Sequence, residues 1–386
     1  MERSGRWAER LRCPWSGDAG ELDQPSFLSP AGRPWLVEYG LDATRGAALR
    51  AALPGRPWTL WRYRELLPLL DFGARVDLGE GGTPLVPLRR AALGGVEVLL
   101  KQEAGNPTGS FKDRGLSLAV NRARELGAGG VQLPSAGNAA IALAAYAAAS
   151  GLPARVAMPL DTPRAVEERC RAYGAEVFRA GRTLVESGAH LAGLPGDFWT
   201  LATLKEPYRV EGKKTLGLEL AEQLDWRLPD WIVYPTGGGT GIVGMDKAFH
   251  ELECLGLLGS DRPRLVVAQA AGCAPLVRAF ERGEETAEPW ADARTRVWGL
   301  RVPQGVGDFL VLRALRRSRG VALAIDEGGL DAVAARYTRS EGLVIGPEGA
   351  LALAALELLH ERGEIREGQR VVVFQTGHPA NYAEGV

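Results

Sequence analysis

Short apolar runs that alternate with helix-like segments constrain the fold of this chain more than any other feature. The runs are rich in Val, Ile and Leu, and they occupy residues 96–103, 131–135, 155–160, 231–235, 264–269 and 371–376. Runs of this kind are typical of parallel strands whose sheet is covered by helices on both faces. The sequence therefore predicts an α/β fold with doubly wound, parallel sheets.

Three helices can be placed from their boundary residues. After Lys112, apolar residues recur at helical spacing until Gly127. An alanine-rich helix is expected over 138–150, and another over 346–363, where Pro347 favours the first turn. Doubly wound sheets bind ligands where strands meet helix N-termini, so these junctions are the candidate functional segments.

Charge and composition exclude several classes of partner. The 386 residues include 46 basic and 47 acidic side chains, so the chain lacks the basic excess of a nucleic-acid-binding protein. The most apolar tract, 139–150, is shorter than the roughly 20 residues of a membrane span, and the N-terminus lacks a secretory signal. We therefore expect a cytoplasmic protein with a small-molecule substrate, no nucleic-acid partner and no membrane partner.

A glycine-rich loop follows the apolar run at 231–235. It consists of Gly237, Gly238, Gly239, Thr240 and Gly241, and a helix-like segment comes next. Backbone N–H groups and the helix dipole can converge on a phosphate at such a junction. The loop matches neither the Walker A motif nor the GxGxxG dinucleotide motif. We predict that it binds a single phosphate, with a flexible turn as the alternative.

Two further loops place polar groups at the ends of predicted strands. Ser135, Ala136, Gly137 and Asn138 connect a strand to a helix. Their small size lets backbone amides approach a ligand carboxylate, while the Asn138 side chain offers both a donor and an acceptor. Alternatively, Ser135 or Asn138 serves only as a helix N-cap. Thr376 ends the last strand, and its hydroxyl either faces the crevice or belongs to an ordinary strand end.

Lys112 lies in the stretch GNPTGSFKDRG, at the expected start of a helix. The dipole at a helix N-terminus disfavours a positive side chain, which lowers the cost of losing its proton. A neutral lysine amine is nucleophilic and can form a Schiff base with a carbonyl. Most lysines are solvated surface charges, so this interpretation depends on the neighbouring loops.

The motifs together resemble a known enzyme family. The stretches are GEGGTPLVPL (79–88), GNPTGSFKDRG (105–115), SAGN (135–138), LKEPYRVEGKKT (204–215) and PTGGGTG (235–241). They are similar to those of the pyridoxal-phosphate enzymes of the tryptophan-synthase β type, called fold type II, and the set is most similar to threonine synthases. The resemblance implies two doubly wound domains, pyridoxal 5′-phosphate as the cofactor and a role in amino-acid biosynthesis.

The resemblance also assigns the cofactor contacts. Lys112 would form the Schiff base with pyridoxal phosphate, with Phe111 beside it. The cofactor phosphate would bind the loop 237–241, the ring hydroxyl Asn138, and the pyridine nitrogen Thr376. A hydroxyl opposite that nitrogen, in place of a carboxylate, suits elimination and replacement better than transamination.

For the substrate, the resemblance implies conversion of O-phospho-L-homoserine and water to L-threonine and phosphate. The residues expected to bind the substrate, chiefly its carboxylate, are Thr83, Ser135, Ala136, Gly137 and Ala139. The substrate phosphate needs a second cationic site, for which the candidates are Lys205, Arg209, Lys213 and Lys214. Arg209 is favoured because a guanidinium can bind phosphate through two hydrogen bonds.

Three features differ from the family pattern. Ser16 stands where a second cysteine would accompany Cys13 in a zinc-ribbon-like start, so we predict no metal. Ile141 is larger than the usual residue and is expected to reshape the substrate side. The tail TGHPANY has Pro379 in place of a glycine, and His378 is either a proton carrier at the substrate or a residue that packs under the cofactor loop.

The implied organisation has three parts. Residues 1–52 form an N-terminal arm packed on a neighbour, either a partner or the same chain. Residues 53–127 and 200–386 form a large cofactor-binding domain, and residues 128–199 form a small domain with the substrate-carboxylate loop. A homodimer is an open alternative to a monomer.

Two other functions stay open. One keeps the cofactor and carries out β-elimination or β-replacement on another activated hydroxy amino acid, such as O-phosphoserine. The other is a non-catalytic protein that binds an effector through the glycine loop. This second alternative is less well supported, since every cofactor position carries a suitable residue.

Overall fold

The computed structural model describes residues 6–90 and 93–383. The strands in these residues are β1 (Ala8–Arg12), β2 (Ala19–Gly20), β3 (Leu36–Tyr39), β4 (Leu85–Pro87), β5 (Glu97–Gln102), β6 (Gly130–Pro134), β7 (Ala154–Met158), β8 (Glu176–Arg179), β9 (Phe198–Thr200), β10 (Trp231–Pro235), β11 (Arg264–Ala270), β12 (Val321–Ile325) and β13 (Arg370–Gln375). The α-helices are α1 (Ala43–Ala52), α2 (Lys112–Glu125), α3 (Asn138–Ser150), α4 (Arg164–Ala172), α5 (Leu184–Ala192), α6 (Tyr208–Gln223), α7 (Thr240–Cys254), α8 (Pro275–Glu281), α9 (Asp308–Arg317), α10 (Leu330–Glu341) and α11 (Pro347–Glu361). Short 3-10 helices span Leu53–Gly55, Leu60–Leu66, Glu103–Gly105, Trp298–Leu300 and Pro379–Asn381.

The main sheet has six strands in the order β12-β11-β10-β13-β5-β4. Neighbouring strands are parallel except for β4, which pairs antiparallel with β5 at one edge. At the centre, Trp231 of β10 pairs with Arg264 of β11 on one side and with Val371 of β13 on the other. Because β10, β13 and β5 run in the same direction, their carboxyl ends meet at one edge of the sheet.

Helices cover both faces of this sheet. Ile232 and Tyr234 of β10 point into a core with α6, α7 and α9, whereas Trp231 and Val233 point into a core with α10 and α11. All four side chains are buried. A strand buried on both faces must be apolar at every position, which explains its continuous hydrophobic run.

A second sheet has four parallel strands in the order β8-β7-β6-β9. Helix α3 is buried on all sides between this sheet, α2 and α4, and its alanines let those neighbours approach closely. The sheet lies between Gly130 and Thr200, close to the range 128–199 predicted for the small domain. Leu116 and Val120 of α2 share its hydrophobic core. The exact domain division stays a prediction.

The N-terminal residues form a small antiparallel sheet with the order β2-β1-β3. Trp15 contacts Phe309 edge to face, with 5.1 Å between ring centres, and the Tyr39 hydroxyl donates to Glu211 Oε2 at 2.8 Å. The predicted arm thus contains regular structure and packs on its own chain. In the described part of the chain, His, Cys, Asp and Glu side chains form no group of three that suits a metal ion.

A buried ion network joins β5, α2 and α6. Arg114 lies 2.7 Å from Glu103 and 3.0 Å from Glu219, Lys101 lies 2.5 Å from Glu219, and all four side chains are fully buried. Burial disfavours the charge of Glu219, but Arg114 and Lys101 outweigh it and hold the pKa of Glu219 well below its usual range. The network anchors α2, the helix that begins at Lys112.

The main sequence predictions of the fold are confirmed. The six apolar runs coincide with β5, β6, β7, β10, β11 and β13. The three predicted helices coincide with α2, α3 and α11. The parallel α/β class is confirmed as well, whereas the antiparallel edge strand β4 was not predicted. None of the helices that the structure describes is long and apolar enough to span a bilayer.

Candidate active site

A cavity lies where the carboxyl ends of β10 and β13 meet the N-termini of α2, α3, α7 and α11. The residues predicted to be catalytic or cofactor-binding all line it: Phe111, Lys112, Asn138, Gly237, Gly238, Gly239, Thr240, Gly241 and Thr376. They come from distant parts of the sequence. Lys112, the glycine loop and Thr376 follow strands β5, β10 and β13 of the main sheet, which end at the same edge, whereas Asn138 follows β6 of the second sheet and reaches the cavity because the two sheets pack together through α2 and α3.

Lys112 is the first residue of α2, and its side chain faces this cavity. Its Nζ atom lies 4.2 Å from the centre of the Phe111 ring and has no hydrogen bond to any residue that the structure describes. Burial and the positive charge of Arg209 lower the pKa of Lys112 to about 7, and Glu348 opposes the shift only in part. At neutral pH a large fraction of the amine is therefore uncharged and nucleophilic.

The glycine loop, residues 237–241, presents backbone N–H groups that have no acceptor in the described residues, 6–90 and 93–383. Helix α7 begins at Thr240. Gly239 has a φ of +78°, and a Cβ atom there would lie 2.2 Å from Val311 Cγ2. A Cβ atom at Gly241 would lie 2.3 Å from the Tyr234 hydroxyl. Glycine is therefore needed for the backbone to lie this close to its neighbours while its amides face the cavity.

Asn138 and Thr376 add two neutral polar groups. Asn138 Oδ1 accepts a hydrogen bond from Asn381 Nδ2 at 2.6 Å, which leaves the Asn138 amide group as a donor. The Thr376 carbonyl accepts from the Phe111 N–H at 2.9 Å. The Thr376 hydroxyl has no hydrogen bond within the described residues, although the residue is buried. The cavity thus combines a row of backbone N–H donors, an amide donor, a hydroxyl without a partner among the described residues, and an amine whose pKa is lowered to about 7.

Comparison with known proteins identifies the family. The model of the family described as pyridoxal-phosphate dependent enzyme matches residues 76–377. The threonine synthase of Methanocaldococcus jannaschii is 32% identical over 373 residues, which cover 95% of this chain and 91% of that protein. The threonine synthase of Methanosarcina acetivorans is 35% identical over 326 residues, with 83% and 79% covered. The chain belongs to the threonine synthase family.

Solved structures agree on the fold of this family member. Threonine deaminase isoform 2 from Solanum lycopersicum, in its processed form, has a TM-score of 0.65 at 22% identity, covering 88% of this chain and 91% of that chain. Maize serine racemase has a TM-score of 0.67 at 20% identity, covering 90% and 95%. The prediction of a tryptophan-synthase-β-like fold is therefore confirmed. The family model and the curated relatives confirm the prediction of a pyridoxal-phosphate-dependent lyase.

The threonine synthase family implies pyridoxal phosphate, and the cavity suits that group. The unpaired amides of 237–241 match its phosphate, and the free donor of Asn138 matches its ring hydroxyl. The Thr376 hydroxyl can bind a ring nitrogen as donor or acceptor. The uncharged amine of Lys112 matches its aldehyde.

The lowered pKa of Lys112 predicts how cofactor loading depends on pH. Because the amine must be unprotonated to react, the loading rate of cofactor-free protein should rise roughly tenfold per pH unit below about 7 and level off above it. The rate is measured from the absorbance of the bound cofactor after mixing. A soluble lysine analogue, with a pKa of about 10.4, serves as the control and should keep gaining rate to higher pH. A protein rate that also rises up to about pH 10 would contradict the assignment.

Arg209 is the cation that best fits a second anion. Its Nη1 donates to the Leu201 carbonyl at 2.8 Å, while its buried Nε and Nη2 atoms have no partner within the described residues. The residue is 2% exposed. Glu206 accepts the backbone N–H groups of Tyr208 and Arg209 and forms no ion pair with the guanidinium. Two guanidinium nitrogens near Lys112 are thus available to an anion.

The three candidate lysines are placed differently. Lys205 is exposed. Lys214 is buried in ion pairs with Glu211 at 2.8 Å and Glu251 at 2.7 Å. Lys213 is buried and donates to the Phe111 carbonyl, and burial together with Lys112 lowers its pKa well below the usual range. These contacts favour Arg209 over the lysines as the phosphate-binding residue.

The predicted carboxylate loop lies at the N-terminus of α3. Ser135 Oγ accepts the Gly137 N–H at 3.3 Å, and the N–H groups of Ala136 and Ala139 have no acceptor in the described chain. Two backbone donors therefore remain for a ligand acid. Ile141 was expected to reshape the substrate side, but it is fully buried in the core around α3. Ile141 does not line the cavity, and its effect on the substrate side stays a prediction.

Two predicted substrate residues have structural roles instead. The Thr83 hydroxyl donates to Glu103 Oε1 at 2.6 Å within the buried ion network, and Thr83 does not line the cavity. His378 Nδ1 accepts the Ala380 N–H at 3.2 Å and caps the 3-10 helix Pro379–Asn381. The placement of His378 favours the packing alternative over that of a proton carrier.

Some residues at the site were not found from the sequence. Glu348 and Tyr234 line the cavity, and Glu348 is buried with a pKa raised by that burial. From sequence, Glu348 is expected only to stabilise the first turn of α11. Asn381 contacts Asn138, and a Cβ atom at Gly137 would lie 2.6 Å from the Tyr382 hydroxyl. In the sequence, only the unusual tail TGHPANY indicated that Asn381 and Tyr382 belong to the site.

Proposed function

We propose that the protein converts O-phospho-L-homoserine and water to L-threonine and phosphate. The observation that carries the proposal is Arg209, a buried guanidinium whose Nε and Nη2 have no partner among the described residues and whose charge lowers the pKa of Lys112, although Arg209 does not itself line the cavity. A second phosphate, besides that of the cofactor, would satisfy those nitrogens. Two curated relatives are named threonine synthase, which supports L-threonine as the product.

The cofactor would be held by Lys112, Asn138, Thr376 and the loop 237–241. Bound there, pyridoxal phosphate supplies an electron sink that stabilises negative charge on the carbon next to the substrate amine. Thr376 offers a hydroxyl, which does not force the ring nitrogen to be protonated. Phe111 packs beside Lys112, with its ring centre 4.2 Å from the amine.

Side chains and backbone groups of the protein transfer the proton and bind the phosphate and carboxylate of the substrate. Lys112, with a pKa of about 7, accepts a proton from one substrate carbon and returns it to another at neutral pH. Arg209 holds the substrate phosphate and stabilises its charge as it leaves. The free N–H groups of Ala136 and Ala139 orient the substrate carboxylate, which fixes the carbon atoms relative to Lys112.

A comparison of two substrates tests the proposal. The purified protein with its cofactor should release phosphate from O-phosphohomoserine and form threonine in equal amount. O-phosphoserine, which is one carbon shorter, places its phosphate closer to the reacting carbon and should be turned over at least about 100-fold less efficiently. Turnover of O-phosphoserine alone would overturn the proposal in favour of β-elimination or β-replacement.

Replacing Arg209 by leucine tests the second phosphate site. The dissociation constant for O-phosphohomoserine should rise about 100-fold, because two charge-assisted hydrogen bonds are lost. Binding is measured from the change in cofactor absorbance, and homoserine, which lacks the phosphate, should bind both proteins about equally. Lys205→Leu removes an exposed cation from the same segment and serves as the control. Equal losses for the two ligands would show that Arg209 does not contact the phosphate.

A further inference from the structure

Three hydrogen-bonded side chains, which we call the relay, connect helix α4 to the cofactor cavity. Arg169 lies on α4, Asn381 in the C-terminal tail, and Asn138 at the start of α3. Arg169 Nη1 donates to Asn381 Oδ1, and Asn381 Nδ2 donates to Asn138 Oδ1 at 2.6 Å. Asn381 is 1% exposed and Asn138 is 5% exposed. These groups therefore cannot exchange their partners for water.

The chemistry of the partners fixes the orientation of both carboxamides. A guanidinium has donors only, so the atom of Asn381 that faces Arg169 must be the carbonyl oxygen. The amide group of Asn381 also faces the carbonyls of Thr108 at 3.1 Å and Gly109 at 3.4 Å, which only accept. Two independent sets of contacts thus demand the same orientation of Asn381. Asn138 must then turn its carbonyl toward Asn381 and its amide group toward the cavity.

The backbone at Gly109 and Gly377 leaves little room for another orientation of the two carboxamides. A Cβ atom at Gly109 would lie 3.0 Å from Asn381 Oδ1, and a Cβ atom at Gly377 would lie 2.7 Å from Asn138 Nδ2. The backbone therefore approaches both carboxamides closely. Asn381 belongs to the TGHPANY tail, where this chain departs from the family pattern.

We propose that Arg169 and Asn381 are positioning residues that orient Asn138 so that an amide donor, and not a carbonyl, faces the ring hydroxyl of pyridoxal phosphate. The inference rests on the cofactor role of Asn138 given above. A donor stabilises the ring oxygen as an anion, whereas a carbonyl would stabilise its protonated form. The orientation of the Asn138 amide thus selects the protonation state of the ring oxygen. Arg169, on helix α4 beside the second sheet, fixes that orientation through Asn381.

Asn381→Asp tests the orientation directly. The aspartate keeps its contact with Arg169 but has no donor, so Asn138 should rotate and turn its carbonyl toward the cofactor. The apparent pKa of the bound cofactor's ring oxygen, followed by absorbance between pH 5 and 9, should rise by about 1 unit, and the dissociation constant for pyridoxal phosphate should rise about tenfold. Asn381→Leu removes the hydrogen bond to Asn138 without favouring the opposite orientation of that amide. It should therefore raise the pKa of the ring oxygen by a smaller amount. A shift in the leucine variant equal to that in the aspartate variant would show that only packing matters and would overturn the proposal.

The Arg169 end provides an independent test that does not alter the tail. Arg169→Leu should weaken cofactor binding about threefold to tenfold, and Arg169→Lys, which restores a donor, should recover it to within about twofold. Arg171→Leu is the matched control, since Arg171 lies on the same helix but pairs with Glu167 and does not contact the tail. Equal effects of Arg169→Leu and Arg171→Leu would refute the relay.

The readouts separate this inference from the proposed function. Cofactor affinity and the absorbance titration require no substrate. Failure to turn over O-phosphohomoserine would therefore refute the proposed reaction and leave the relay intact. Unchanged cofactor properties in the Asn381 and Arg169 variants would refute the relay and leave the reaction intact. Urea unfolding midpoints of the cofactor-free variants show whether any loss of affinity comes from a loss of folding.

Discussion

Replacing Lys112 by alanine is expected to lower kcat for phosphate release from O-phosphohomoserine at least about 1000-fold. The reason is that this amine, whose pKa is about 7, both holds the cofactor and carries the proton in the proposed mechanism. The rate is measured with excess pyridoxal phosphate, so that weaker cofactor binding does not account for the loss. Borohydride reduction followed by mass spectrometry should attach the cofactor to Lys112 in the native protein and to no lysine in the variant.

Two comparisons make this result specific. Lys205→Ala removes an exposed lysine and should leave kcat unchanged. Lys213 is the alternative amine, since its Nζ lies 4.1 Å from the same Phe111 ring. Attachment of the cofactor to Lys213 in the native protein, or retention of a tenth of the activity in the Lys112 variant, would contradict the assignment.

Replacing Glu219 by glutamine is expected to lower the free energy of unfolding by about 3–5 kcal/mol. Glu219 is fully buried between Arg114 and Lys101, and its loss leaves the charges of both partners poorly compensated. The measurement is urea unfolding of the cofactor-free protein at neutral pH. Because the network anchors α2, the variant should also load cofactor more slowly.

An exposed ion pair provides the control for this prediction. Arg164 and Glu168 lie one turn apart on α4, with side chains 79% and 61% exposed. Glu168→Gln should change the free energy of unfolding by about 0–1 kcal/mol. An equally small effect of Glu219→Gln would show that the buried network does not stabilise the fold.

The network also predicts a dependence of stability on acid. The pKa of Glu219 is lowered in the folded protein, so its contribution is fully present above the unfolded value of about 4.3. As pH falls below that value, the unfolded state takes up a proton that the folded state does not. The contribution is therefore lost progressively in acid, and Glu219→Gln should flatten the pH profile of stability below about 4.

Much of the cofactor site could be predicted because each of its parts is a local motif. The loop 237–241 is a run of consecutive residues whose backbone supplies the row of N–H donors. Lys112 and Thr376 follow strands of the main sheet, which gathers such positions at one edge, and Asn138 stands at the corresponding junction of the second sheet. The backbone topology was sufficient to bring them together.

The substrate residues were harder to predict because their roles depend on side-chain partners. Thr83, Lys213 and Lys214 have the chemistry that a phosphate or carboxylate needs, yet buried partners already satisfy them. Arg209 has the same kind of chemistry, and two of its nitrogens remain unpaired. Only the packing of α6 against α2 and α7 distinguishes the two lysines from Arg209.

By itself, the sequence determined the parallel α/β fold and the cofactor, and it led to Lys112 as the proposed lysine of the Schiff base. Those features follow from hydrophobic runs and from short motifs whose geometry is set within a few residues. The tertiary structure decided which cation is free for a second phosphate, that His378 caps a turn, and which way the Asn138 carboxamide points. The orientation of Asn138 depends on Asn381, a hydrogen-bond partner that is distant in sequence. His378 and Arg209 have partners nearby in sequence, Ala380 and Leu201, but the folded backbone decides which of their nitrogens these partners engage.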